Sequence, residues 1–119
     1  MKKNIYPLLL ILPCLSVFAG EVTVVDASAS PTGIGVYRFD VTLSHADSGW
    51  DHYADSWEVV APNGEILGQR TLYHPHVEEQ PFTRSLSGVI VPEGVDRVEI
   101  RAHDKVHGYG AQPFQIDLK

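Results

Sequence analysis

Beyond residue 20, apolar and polar residues alternate with a period of two, and no helical period is sustained. Tyr37, Phe39, Val41 and Leu43 alternate with Arg38, Asp40 and Thr42; Val98, Ile100 and Ala102 alternate with Arg97, Glu99 and Arg101. Successive side chains of a strand point to opposite faces, so each run predicts a strand with one buried and one wet face. Read this way, the chain predicts strands over 21–28, 35–44, 56–61, 65–73, 83–91, 96–103 and 113–118. Pro62-Asn63-Gly64 and Pro92-Glu93-Gly94 punctuate the pattern. Asn-Gly in particular signals a tight hairpin, because both residues tolerate positive φ.

Seven short strands separated by turn signals predict an all-β fold, a seven-stranded antiparallel immunoglobulin/fibronectin-III-like β-sandwich. Trp57, on the third strand, is the expected anchor between the sheets. Val98-Glu99-Ile100-Arg101-Ala102 resembles the sixth strand of fibronectin type III modules, although the tyrosine those modules place near Asp96 is absent.

The first residues follow a different rule. Lys2 and Lys3 precede an apolar run from Ile5 to Phe18, and Val17-Phe18-Ala19 supplies the small and aliphatic residues that signal peptidase needs. The expectation is a cleaved signal peptide over 1–19 and a single β-sandwich domain over 20–119, periplasmic or secreted. The apolar run is short for a membrane span. Cys14 follows Pro13, a poor fit to a lipidation motif, and reads as an ordinary residue of the signal.

Without that segment the chain has no cysteine, which excludes blue-copper, iron–sulfur and cysteine-zinc sites. Loss of Lys2 and Lys3 takes the formal charge from −6 to −8. An acidic surface disfavours nucleic acid and anionic lipid. No nucleic-acid partner, no membrane span and a monomer are therefore expected.

The candidate chemistry lies in the histidines. All six fall at three breaks between predicted strands: His45 and His52, His74 and His76, His103 and His107. In a seven-stranded sandwich, alternate connections lie at opposite ends, so these three breaks share one end. The other end holds Pro31, Gly33, Pro62, Asn63, Gly64, Pro92 and Gly94 and no histidine. Neutral imidazole is the commonest protein metal ligand. In His74-Pro75-His76, residues two apart in extended chain point the same way, and Pro75 fixes φ. His103 and His107 flank Asp104, which can ligate or orient a ring. His52 is a possible third-loop ligand beside Asp51. Glu79 can supply an oxygen or pair with Arg84. His45 follows the second strand on its buried parity and reads as a core histidine.

The expected metal set is thus His74, His76, His103, His107 and His52, with Asp104, Asp51 and Glu79 as supporting or additional ligands. Imidazoles with an occasional carboxylate suit copper(II) or zinc rather than calcium or magnesium. Trp50-Asp51-His52-Tyr53-Ala54-Asp55, His74-Pro75-His76 through Glu79-Gln80-Pro81-Phe82-Thr83-Arg84-Ser85-Leu86, and Ala102-His103-Asp104 with Val106-His107-Gly108 are similar to a family of small exported bacterial proteins. The resemblance implies a single exported domain in a bacterial periplasm and supplies no mechanism.

The expected function is binding of a divalent metal, copper(II) or zinc, in buffering, delivery or sensing. The competing expectation is a metal-free module that recognises a periplasmic protein or a glycan through Trp50, Tyr53, Tyr73 and Tyr109 on the same loops. No nucleophile-elbow pattern surrounds Ser85 or Ser87, so no argument for catalysis arises.

Overall fold

The computed structural model describes residues 20–118. The expected signal segment 1–19, Cys14 included, lies outside the described residues, as does Lys119. The strands are β1 (Thr23–Gly33), β2 (Val36–Ser44), β3 (Ala54–Val60), β4 (Ile66–Thr71), β5 (Phe82–Ile90), β6 (Arg97–Asp104), β7 (Gly108–Tyr109) and β8 (Phe114–Asp117). They form two antiparallel sheets, β1-β2-β5 and β4-β3-β6-β7, with β8 also paired to β6. The sheets pack face to face, so the chain is all-β and sandwich-like.

Alternation builds the layer between them. Phe39, Val41 and Leu43 of β2 are fully buried, as are Trp57 and Val59 of β3 and Ile100 of β6. Trp57 lies opposite Ala102, and Val59 opposite Ile100, across the β3–β6 ladder. Trp57 is the largest of the fully buried side chains, and burying such a ring removes roughly 150–250 Å² from water. Gly68 lets β4 close over β5: a Cβ there would meet Leu86 Cδ2 at 3.0 Å and Val89 Cγ2 at 3.2 Å.

Each predicted strand has a counterpart in the structure, and the differences have local causes. β1 runs on through Pro31 to Gly33. It is an edge strand with only β2 beside it, the place in a sheet where proline is tolerated. The Asn63-Gly64 turn has three loop residues, with Ala61 N–H donating to Glu65 O at 2.8 Å and Gly64 N–H to Ala61 O at 2.9 Å. Only Gly64 takes positive φ, at 91°. The short β7, at a stretch expected to be loop, folds back so that Gly108 pairs with Asp104 and Tyr109 with His103.

These ladders bring three connections together at one pole: 45–53 after β2, 72–81 after β4, and 105–107 between β6 and β7. Gln80 ties two of them, since its Oε1 accepts from His45 N–H at 3.0 Å and its Nε2 donates to His76 O at 2.9 Å. Lys105 N–H donates to Tyr53 O at 3.1 Å and ties the third.

Candidate metal centre

His45 is placed by strand parity. It continues the inward-facing series Val41, Leu43 of β2 and is 3% exposed. Asp47 sits just beyond and holds the ring. Its Oδ1 accepts from His45 Nδ1 at 2.5 Å and from Ala54 N–H at 3.0 Å, and its Oδ2 accepts from His76 N–H at 2.7 Å. With Nδ1 donating to a carboxylate, the lone pair of a neutral ring is left on Nε2. That is the tautomer a metal-binding imidazole needs, held the way outer carboxylates hold such ligands.

The next residues bend back. Gly49 takes φ 143°, His52 N–H donates to Gly49 O at 3.2 Å, and Ser48 N–H donates to His52 O at 3.0 Å. This tight loop brings His52 Nε2 to 3.2 Å from His45 Nε2. From the opposite sheet, Asp104 follows Val98, Ile100 and Ala102 on the inward face of β6 and is fully buried. Its Oδ1 accepts from Val106 N–H at 2.8 Å and His107 N–H at 2.7 Å. Burial alone would raise the Asp104 carboxyl. The two backbone donors and the neighbouring His45 and His107 outweigh it and hold the group below the usual carboxylate range.

Among the described residues, His45, His52 and Asp104 form a group whose ligand atoms all lie within 4.8 Å of one another. His52 Nε2 is 3.4 Å from Asp104 Oδ1, and His45 Nε2 is 3.8 Å from Asp104 Oδ2. The Gly20 carbonyl oxygen lies 2.9 Å from His45 Nε2 and 3.2 Å from His52 Nε2. Tetrahedral ligands about 2.0 Å from zinc stand roughly 3.3 Å apart, so these separations suit one ion. His107 closes the rim, with its ring 5.0 Å from that of His52 and its Nδ1 3.3 Å from Asp104 Oδ1.

His45 Nε2, His52 Nε2, the Gly20 oxygen and the Asp104 carboxylate converge on one small space. Asp104 Oδ2 is buried and has no hydrogen-bond partner. Buried anionic oxygens require pairing or a coordinated cation, and the Asp47 and Asp104 side chains are both wholly buried here.

The other expected ligands sit in different surroundings. His74 is exposed, 4.6 Å ring to ring from His76. His76 stacks on Phe82 with centroids 3.9 Å apart, and its Nε2 accepts from Arg84 Nη2 at 2.9 Å. Its Nδ1 lies 4.0 Å from Asp47 Oδ2. Burial, followed by the Arg84 and His74 charges, lowers its pKa. Glu79 pairs with Arg84 at 3.1 Å. His103 alternates to the outer face of β6, where its Nδ1 donates to Asp55 Oδ1 at 2.6 Å and its ring packs edge-on to Tyr109. Asp51 is exposed. Contacts thus link His45, His52, His107 and, through Asp47, His76 and His74 at one pole, while the His103 ring faces away. Sequence parity marked His45 as buried, and it is buried. What went unread was that the same inward parity on β6 sends Asp104 to meet it.

No family model matches the chain, and no solved structure matches it. The chain is homologous to a protein of Halomicrobium mukohataei described as "Putative lipoprotein", with 45% identity over 99 residues. The match covers 83% of this chain and 48% of that protein, so the chain spans about half the length of its relative. Among the described residues, no helix is long and apolar enough to cross a membrane.

Proposed function

We propose that this chain is an exported, periplasmic binding protein for a divalent metal, copper(II) or zinc, in buffering, delivery or sensing. The ion sits between His45, His52 and Asp104, with His107 as a further imidazole at the rim. The observation that carries this reading is the convergence of His45, His52 and Asp104 ligand atoms within 4.8 Å, around a buried Asp104 Oδ2 that has no hydrogen-bond partner. Two soft-to-borderline nitrogens and one carboxylate suit zinc or copper(II) better than calcium or magnesium. His74, His76 and His103 lie outside the ligand set in this reading.

The strand order of the described residues supports a fibronectin-III-like topology, since β4 pairs with β3 in the sheet of β6 rather than joining the β1-β2-β5 sheet. Export accords with the name of the relative. Titration calorimetry at pH 7.5 tests the metal reading. One zinc or copper(II) ion should bind per chain, and both His45→Ala and His52→Ala should weaken binding at least about tenfold, on the scale that even supporting-residue losses produce. No heat from the native chain with either ion ends the proposal.

A second reading rests on exposed aromatics at the same pole. Trp50 is 63% and Tyr73 74% exposed, and loops on a rigid sandwich are common binding surfaces. A periplasmic protein or glycan partner would then be captured equally with and without chelator.

A further inference from the structure

The segment just before β1 packs against the pocket. Gly20 has φ 105°, and a Cβ on it would lie 2.7 Å from His107 Cε1. Its backbone angle favours glycine, and a Cβ there would have to press the His107 ring aside. Two residues on, Val22 O would stand 2.4 Å from a Cβ on Gly110. Ala111 N–H donates to Glu21 Oε1 at 3.1 Å. Residues 20–22 are therefore clamped between the pocket and the chain that follows β7, with the Gly20 oxygen aimed at both Nε2 atoms.

Gly20 also directly follows Val17-Phe18-Ala19, the sequence at which signal peptidase would cut. We infer that cleavage after Ala19 completes the metal centre: the freed α-amine of Gly20 joins its own carbonyl oxygen as a two-atom chelate on the ion held by His45, His52 and Asp104. This rests on the metal-binding reading above. Hydrolysis adds water across the Ala19–Gly20 peptide bond, leaving a carboxylate on Ala19 and an amine on Gly20. Before cleavage the Gly20 nitrogen is an amide whose lone pair is delocalised into the carbonyl, and it is a poor ligand. After cleavage it is an amine, separated from the carbonyl oxygen by two carbons, so both atoms close a five-membered ring on one ion. The consequence is a site that reaches full affinity only once the protein has been exported and processed.

The test uses protein exported and processed from the full chain. Its amino terminus is read by intact mass, then zinc(II) and copper(II) are titrated before and after acetylation of the α-amine. A start at Gly20, a loss of at least about tenfold in affinity on acetylation, and one fewer nitrogen in the copper(II) spin-resonance spectrum are expected. Equal affinities and spectra overturn the role of the amine and leave the imidazole site standing. A mature chain that starts elsewhere, for instance at a lipidated Cys14, overturns it too. No binding by the processed chain before acetylation removes the metal site itself.

Discussion

Two groups of histidines share one pole and one carboxylate, Asp47, yet their ring nitrogens meet opposite partners. In the first group, His45 Nε2 faces a carbonyl oxygen at 2.9 Å and a buried carboxylate oxygen at 3.8 Å. In the second, His76 Nε2 already accepts a guanidinium proton from Arg84, and the ring is stacked on Phe82. A cation would relieve the first group and would collide with a fixed positive charge in the second. Residue type and loop position are the same in both. What separates a ligand from a wedge is the charge of the group that faces the free nitrogen.

Asp47 holds both groups, so its loss should break the comparison altogether. It accepts three hydrogen bonds from three segments while wholly buried. Asp47→Ala leaves two backbone N–H groups and one imidazole N–H without acceptors. Breaking a buried, hydrogen-bonded charge typically costs about 3–5 kcal/mol. Urea denaturation in chelator should show a loss of this size, and metal binding should vanish with it. A variant within about 1 kcal/mol of the native chain would mean that the pole is held together by other contacts.

The next effect separates the groups. Metal at a hundredfold excess over its Kd should stabilise the native chain by about 2.7 kcal/mol. For a domain of this size that raises Tm by roughly 10–20 °C. His52→Ala should cut the rise by about half or more, and His74→Ala should leave it intact. Equal loss in both variants would mean that the ion lies between the two groups rather than within the first.

Most of the frame behind this contrast could be read from the residues alone. Period-two alternation fixes which side chains of β2 and β6 point inward, and it placed Phe39, Leu43, Ile100 and Trp57 in the core because sheet geometry allows no other parity. The shared pole followed from antiparallel connections alternating between ends. The choice among histidines did not follow. His74-Pro75-His76 has attractive spacing, but Arg84, eight residues beyond His76, occupies its nitrogen, and no local pattern encodes that contact. His103 and Asp104 are neighbours in sequence, and alternation sends them to opposite faces. Extending the parity argument from His45 to Asp104 would have joined them, since both continue inward series on facing sheets. The role of Gly20 depends on a close approach to His107 that only the folded chain displays.

His76 itself should report a smaller effect, through pH. Burial, then the Arg84 charge, holds its folded pKa below the ordinary imidazole value of about 6.5. Between the two values the unfolded chain binds more protons than the folded chain, so stability falls as pH falls through that window. The contribution is fully present above about pH 6.5 and is lost once the lowered folded value is passed. His76→Gln, which keeps an acceptor for Arg84, should flatten this part of the profile in chelator. Urea midpoints at several pH values from neutral to mildly acid would show it. An unchanged slope would assign the acid sensitivity of the pole to other groups.

The smallest expected effect lies far from the pole and serves as its control. On the outer face of the three-stranded sheet, Ser85 Oγ donates to Asp40 Oδ1 at 2.5 Å, and Arg38 Nη2 donates to the same oxygen at 3.1 Å. These bonds, Ser85 first, hold the Asp40 carboxyl below its usual value. The stability they contribute is present above the ordinary carboxylate value of about 3.9 and is lost as pH falls through the lowered folded one. Ser85→Ala should cost about 0.5 kcal/mol at neutral pH, the low end for a hydrogen bond, because solvent reaches Asp40 and Arg38. The deficit should close in strong acid, and the metal-induced rise in Tm should be unaffected. A change in metal affinity in this variant would mean that the two sheets transmit strain to the histidine pole, so that the contrast between the two groups could no longer be argued from local partners alone.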